Sequence, residues 1–271
     1  MCRLLGYLGP AIALDRLLYK PEHSLIVQAY DPKEMETALL NADGFGVGWY
    51  HAANPEDPPY TYRSTSPIWS DINLPELSRY ATSGCIAGYV RSATPGIAVD
   101  LSNCQPFCSK GLPEISQRVL FLHNGYLENF RQTLYRPLRN LLADEVYRHI
   151  QGTTDSEHLF ALILDYLAGA QERSFVDALT EVLPHVGRLA RAQKSGFLCN
   201  ILLTDGNRMV AARYAAGPKP ASLYWLRDDP QFPNAVLIAS EPLFAGDWNQ
   251  CPEQAIISVA EDLEVRIHPI S

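Results

Sequence analysis

Apolar and polar positions change rhythm twice along the chain. Up to about residue 125, short apolar or alternating runs are separated by polar and glycine-rich turns. Leu4–Leu8 reads as a buried strand. Ser24–Tyr30 reads as a strand or extended loop, and Pro32–Leu40 carries helical spacing at Met35, Ala38 and Leu39. Asn41–Tyr50 turns at Asp43-Gly44 and enters a strand; Tyr60–Ser64 alternates like a strand; Asn73–Tyr80 reads as a short helix. Cys85–Val90 is an apolar strand ending at Arg91–Gly96, and Val119–Leu122 is another ending at His123-Asn124-Gly125. Strands that end in polar or glycine-rich loops are a common way to build a site.

From Phe130 to Ala192 the spacing is helical. Thr154, with Glu157 three residues on, fits a capping box. Leu159, Phe160, Leu162, Ile163 and Leu167 follow on one helical face, and a second helix spans about Phe175–Gln193. Strands then return at Phe197–Thr204, Met209–Tyr214, Leu223–Leu226, Val236–Ala239, Ala255–Val259 and Val265–His268, with a hairpin turn at Asp205-Gly206-Asn207. Strands, then helices, then strands with tight turns imply an α+β fold of two antiparallel sheets covered by helices. Without a repeat, low-complexity tract or linker, residues 1–271 read as a single domain.

Composition narrows the function. Hydrophobic residues make up 47% of the 271, enough for a large core. A net charge of −8 argues against a nucleic-acid partner, whose phosphates need a basic face. Neither a secretory signal nor an apolar run of about 18 residues is present, so no membrane association is expected and the location reads as cytoplasmic. Cys2, Cys85, Cys104, Cys108, Cys199 and Cys251 form no dense framework and read as reduced thiols. Cys104 and Cys108 lack a second ligand pair, and His51, His149, His158 and His185 lack ligand spacing, so no metal is expected. Gly44, Gly46 and Gly48 do not match a dinucleotide loop, because the third glycine is misplaced and no helix follows.

Cys2 carries the candidate chemistry. Removal of Met1 leaves one residue with both a thiol and a free α-amine. An unperturbed thiol titrates near ~8.5 and an α-amine near ~7.7–8.0, so the amine can take the thiol proton. That combines nucleophile and base in one residue. Taken alone, Cys2 reads as an incidental second residue, and Asn124-Gly125 alone reads as a turn.

Five stretches taken in order change the weighting. Met1-Cys2-Arg3-Leu4-Leu5-Gly6, Val90-Arg91-Ser92-Ala93-Thr94, Asn103-Cys104-Gln105-Pro106-Phe107, His123-Asn124-Gly125 and Thr153-Thr154-Asp155-Ser156-Glu157 resemble the motifs of the class II, N-terminal-cysteine glutamine amidotransferases. They cover about the first 160 residues, and Ala239–Leu243 with Asp247-Trp248 extends the likeness. The family often has histidine at the position of Gln105. A narrower resemblance, to the stand-alone amidohydrolases of ergothioneine biosynthesis, rests on Asn41–Gly44, Gly46-Val47-Gly48, Tyr62-Arg63-Ser64 and Pro67-Ile68-Trp69 together with Cys2-Arg3.

The resemblance implies a four-layer αββα sandwich, the fold of N-terminal nucleophile hydrolases. It implies that Cys2 attacks a γ-glutamyl carbonyl, that Asn124 and Gly125 hold the oxyanion, and that His123 plays only a supporting part. Arg91 would hold the substrate α-carboxylate, Thr94 would add a hydroxyl contact, and Asp155 would hold the α-ammonium. The implied partner is a small-molecule γ-glutamyl substrate, first of all γ-glutamyl-hercynylcysteine sulfoxide, with no cofactor; assembly into a homo-oligomer stays open. Trp49, Tyr50, Trp69 and Tyr89 are candidates for an aromatic face on its quaternary ammonium, or else core residues. The alternatives are a glutaminase subunit feeding ammonia to a separate synthase, a hydrolase of another γ-glutamyl peptide, and an inactive binding module.

Overall fold

The computed structural model describes residues 2–34, 40–51, 54, 56–94, 96–112, 118–170 and 173–270. Strand β1 (Arg3–Ala13) leads into the short helices α1 (Asp15–Leu18) and α2 (Leu25–Tyr30). Next come β2 (Phe45–Trp49), β3 (Tyr60–Ser64), α3 (Leu74–Tyr80), β4 (Thr82–Val90), β5 (Phe107–Cys108) and β6 (Leu120–Leu127). The helical middle holds α4 (Phe130–Thr133), α5 (Tyr135–Arg139), α6 (Asp144–His149), α7 (Asp155–Ala168) and α8 (Phe175–Ala192). The return strands are β7 (Phe197–Thr204), β8 (Met209–Ala216), β9 (Tyr224–Asp229), β10 (Phe232–Ala239), β11 (Asn249–Gln250), β12 (Ala255–Val259) and β13 (Val265–Pro269). Among the described residues no helix is long and apolar enough to cross a membrane.

Two antiparallel sheets result, in the orders β11-β9-β10-β1-β4-β2-β3 and β13-β12-β8-β7-β6-β5. Strand alternation sorts each side chain into one of three cores. Leu4 and Leu8 of β1, Ala87 and Tyr89 of β4, Leu120 and Leu122 of β6, and Val236 and Ile238 of β10 meet between the sheets. Leu5 and Tyr7 point the other way, onto α1 and α2 through Leu17, Leu18 and Leu25. Phe121, Ile201 and Leu203 pack beneath α7 and α8. The layers are therefore helix, sheet, sheet, helix, which is the αββα sandwich.

Three readings need correction. Ser24–Tyr30 is helical from Leu25, because Leu25, Ile26 and Ala29 bury one helical face against β1 and β4. The apolar run that begins at Val119 does not stop at Leu122: β6 continues through His123, Asn124 and Gly125 to Leu127, paired throughout with β7. The capping box at α7 is half made, since Thr154 accepts from the Glu157 N–H while the Glu157 carboxylate turns to the Gln151 and Gly152 amides. A reciprocal box does cap α8, between Ser174 and Asp177, where aspartate replaces the usual glutamate. The helical reading of Pro32–Leu40 rests on residues 35–39, which lie outside the described residues.

Candidate active site

The site lies at one end of the space between the sheets. Cys2 precedes β1 and packs against the inter-sheet core, as its spacing from Leu4 requires. Its Sγ is 3.3 Å from the Ser92 N–H, which donates to it, and 3.4 Å from the Ser92 carbonyl. The start of β1 is fixed on both sides: Arg3 pairs with Val90 of β4, and Leu4 exchanges hydrogen bonds with Ser240, to its hydroxyl and from its backbone N–H.

A buried ion pair adds to this hold. Arg3 Nε is 2.7 Å from Glu241 Oε1, and Arg3 Nη1 donates to the Cys2 carbonyl at 2.9 Å. Glu241 also meets His23 Nε2 at 2.7 Å and accepts from the Lys33 and Glu34 amides. Burial pushes the Glu241 carboxyl up, but His23, Arg3 and the two amides together outweigh it and hold the group at about 2. Its ordinary value is 4.5, so the folded state binds the proton less well than the unfolded state. The resulting stability is present above pH ~4.5 and is lost as pH falls towards ~2, on the order of 3 kcal/mol in all. Glu241→Gln should therefore be less stable than wild type at pH 7, by chemical unfolding, with the gap closing below pH ~4.5. A gap that stays constant from pH 7 to pH 2.5 would rule this account out.

Asn124 and Gly125 sit side by side on β6, opposite Asn200 and Cys199. Asn124 is fully buried, and its Nδ2 donates to Ser240 Oγ at 3.3 Å. Gly125 is half-buried, and no larger residue fits there: a Cβ would stand 2.2 Å from the Leu198 carbonyl oxygen and 2.6 Å from His123 Nε2. His123 points into the helical layer, where its Nδ1 meets Ser156 Oγ at 2.8 Å. Burial pushes its imidazole down, only partly offset by Asp155, which keeps it neutral. Gln105 clamps this strand with both ends of its amide: Oε1 accepts from the His123 N–H at 2.5 Å, and Nε2 donates to the His123 carbonyl at 3.1 Å. Gly46 makes room for that clamp, since a Cβ there would lie 2.0 Å from the Gln105 carbonyl oxygen.

Asp155 opens α7, where a carboxylate suits the helix dipole. Its Oδ2 accepts from the Leu127 N–H at 2.7 Å and its Oδ1 from the Ser156 N–H at 2.8 Å, tying α7 to β6 just beyond Gly125. Arg91 is buried at the end of β4, with Nη1 and Nη2 donating to the Asp43 and Ala98 carbonyls. Among the described residues no carboxylate forms an ion pair with it.

A cavity of about 820 Å³ opens above these groups. Cys2, Thr94, Gly125 and Asp155 line it, as does Ser92; Asn124 and Arg91, each next in sequence to a lining residue, are buried and do not line it themselves. The outer wall comes from Tyr126, Glu128, Phe130, Arg131 and Gln132, none of which the motifs had marked. None of the four aromatic candidates lines the cavity. Trp49 stacks on Tyr60, Trp69 meets Tyr30 edge-on, and the Tyr50 hydroxyl donates towards the Arg118 and Thr204 carbonyls. Tyr89 is buried between the sheets, where burial first and the neighbouring Cys2 next push its phenol well up. Among the described residues no group of three or more His, Cys, Asp and Glu side chains is placed to hold a metal ion.

The chain is similar to known proteins over most of its length. Residues 22–237 match the family model "Glutamine amidotransferases class-II". The chain is 30% identical to "Probable glutamine amidotransferase DUG3" of Saccharomyces cerevisiae, across 100% of this chain and 84% of that protein. It is 29% identical to the γ-glutamyl-hercynylcysteine sulfoxide hydrolase of Mycolicibacterium smegmatis, across 100% of both. Among solved structures, a "glutamine aminotransferase class-II domain protein" from Silicibacter pomeroyi superposes with a TM-score of 0.71 at 23% identity, covering 99% of each chain. The phosphoribosylpyrophosphate amidotransferase of Bacillus subtilis gives 0.67 at 17% identity, covering 99% of this chain and 49% of that one.

Proposed function

The chain belongs to the class-II glutamine amidotransferases, a family of hydrolytic enzymes, and from that premise we propose a stand-alone γ-glutamyl amidohydrolase working through Cys2. Loss of Met1 frees the Cys2 amine, which takes the thiol proton. The thiolate attacks the γ-carbonyl carbon, and the carbonyl electron pair moves to oxygen. The Asn124 amide and the Gly125 N–H hold that oxyanion. Collapse breaks the C–N bond, the leaving amine takes the proton from the Cys2 ammonium, and a thioester remains. Water, losing a proton to the same amine, then attacks the thioester; glutamate departs and the thiolate is reprotonated. Asp155 holds the substrate α-ammonium, Thr94 adds a hydroxyl, and Arg91 holds the α-carboxylate. The burial of Arg91 without an ion pair among the described residues supports that role, because a buried charge calls for a counter-ion.

One observation carries the choice of a sizeable leaving group. The cavity of about 820 Å³ continues past Cys2 to Tyr126, Phe130 and Arg131, which ammonia would not require. Pockets of about 300–1,000 Å³ suit ligands larger than an amide nitrogen. The preferred substrate is γ-glutamyl-hercynylcysteine sulfoxide, the substrate named for relatives aligned along the whole chain. Its quaternary ammonium suits the Tyr126 and Phe130 rings beside Glu128, and its carboxylates suit Arg131. The yeast relative, called a glutamine amidotransferase, favours a second reading, in which glutamine is cut and ammonia passes to a separate synthase.

The test compares kcat/KM for the sulfoxide conjugate, glutathione and glutamine under one set of conditions. The conjugate is expected to lead glutamine by roughly tenfold or more, from one or two added leaving-group contacts of about 1 kcal/mol each. Glutathione in the lead would move the assignment to another γ-glutamyl peptide. Glutamine turned over as well as the conjugate would establish the glutaminase reading, and no turnover of any of them by the mature protein would leave the inactive binding module.

A further inference from the structure

The oxyanion reading of Asn124, on which this inference rests, requires its side-chain amide to present Nδ2 to the reacting carbonyl. Ser240, fully buried just after β10, touches that amide. Its hydroxyl oxygen accepts from the Leu4 N–H at 3.0 Å and from Asn124 Nδ2 at 3.3 Å. With the amide so placed, Asn124 Oδ1 is buried without a partner among the described residues, although amide oxygens away from water are normally hydrogen-bonded. Among the described residues the Ser240 hydroxyl proton has no acceptor in this arrangement either, and both bonds to the oxygen are accepted ones.

A half-turn of the amide exchanges Oδ1 and Nδ2 and resolves both. Ser240 then donates to Oδ1 while still accepting from Leu4. The two Nδ2 protons face the side where no partner was available to Oδ1. Asn200 stands directly across on β7, and its Oδ1 is also unpartnered. Cross-strand neighbours hold their Cβ atoms about 4.5–5.5 Å apart, so one Nδ2 proton can serve Asn200. The other is left for a negative charge that exists only during the reaction.

We propose that Ser240 is the positioning residue of the oxyanion site. Its hydroxyl fixes the Asn124 amide with Nδ2 towards the developing oxyanion. Through the same oxygen it ties that amide to Leu4, two residues along the strand from the Cys2 nucleophile. Donor and nucleophile are thus held in register by one buried hydroxyl.

The experiment is a double-mutant cycle on the mature protein, read with γ-glutamyl-p-nitroanilide as the probe. Ser240→Ala should lower kcat by about 10- to 100-fold with KM within about threefold, because the bond acts on the transition state. Ser240→Thr, which keeps a hydroxyl, should stay within about fivefold of wild type. In an Asn124→Ala background, Ser240→Ala should change kcat by less than about twofold, since the group it positions is gone. An equal loss in both backgrounds, a loss confined to KM, or a folded threonine variant as slow as alanine would overturn the proposal. If the alanine variant does not fold, Ser240→Cys, near-isosteric but a weaker donor, takes its place and must lower kcat at unchanged KM. Asn124→Ala with kcat near wild type would end the oxyanion reading itself. A slow Asn124→Ala with an additive Ser240→Ala would end only the role of Ser240.

Discussion

Cys2→Ala is expected to fold as the wild type does and to lose hydrolysis by about 10⁴-fold or more, the scale on which removal of a covalent nucleophile acts. The thiol contributes little to the fold. Its Sγ meets the Ser92 main chain by hydrogen bonding and lies beside the Tyr89 phenol, at the open end of the inter-sheet core. The first strand is held by other means: pairing with β4 and β10, the Leu4–Ser240 bonds and the buried Arg3–Glu241 ion pair. Stability should therefore change by no more than about 1 kcal/mol, as for substitutions that break no buried network. Turnover of γ-glutamyl-p-nitroanilide and thermal unfolding of the same preparation check both halves. A folded Cys2→Ala protein that keeps turning the probe over would end covalent catalysis by Cys2.

The parts of the fold that were legible in the sequence are those set by short-range rules. Phe197–Thr204 and Ala255–Val259 are strands with the bounds their apolar runs suggest, because both lie in the interior of a sheet. Cys2 stood out as the proposed nucleophile because an N-terminal nucleophile is a property of position. What the sequence concealed depends on pairing across long distances. Asn124-Gly125 looks like a turn, and only the partner strand β7 shows that β6 runs through it. Arg3 and Glu241 are adjacent only after β1 has paired with β10. The short segment Leu25–Tyr30 carries β-branched residues, yet packing on two strands makes it helical.

The aromatic candidates show the same limit from the other side. Trp49 and Trp69 lie in or near stretches that carry the resemblance, but neither lines the cleft. Which side of a strand faces the cleft follows from register, and register is invisible until the neighbouring strand is known. Tyr126, Phe130 and Arg131 do face it, because β6 extends past Gly125 and carries the chain along the cavity wall. Tyr126 follows from continuing the strand two residues beyond Gly125, whereas Phe130 and Arg131 reach the wall from α4.

Retention of Met1 should silence the enzyme almost as fully as loss of the thiol. The proposed base is the Cys2 α-amine, and while Met1 is attached that nitrogen is an amide, which cannot accept the thiol proton. The neighbouring groups offer no replacement. His123 faces the helical layer and bonds to Ser156, and the Asp155 carboxylate, which accepts from two main-chain N–H groups, is the group assigned to the substrate α-ammonium. Two forms of the protein separate the effects. One carries a cleavable leader whose removal exposes Cys2 as the first residue; the other has a glutamate inserted between Met1 and Cys2, which disfavours methionine removal. Intact mass fixes the N-terminus of each, and turnover of γ-glutamyl-p-nitroanilide reads the chemistry. The cleaved form should be active, and the uncleaved and inserted forms slower by roughly 10²-fold at least, the lower end of what a positioned base contributes. The distinction from misfolding comes from the leader form, since cleaving the folded, inactive protein should restore activity within the same sample. Full turnover before cleavage would show that the thiol is activated by some group other than its own amine.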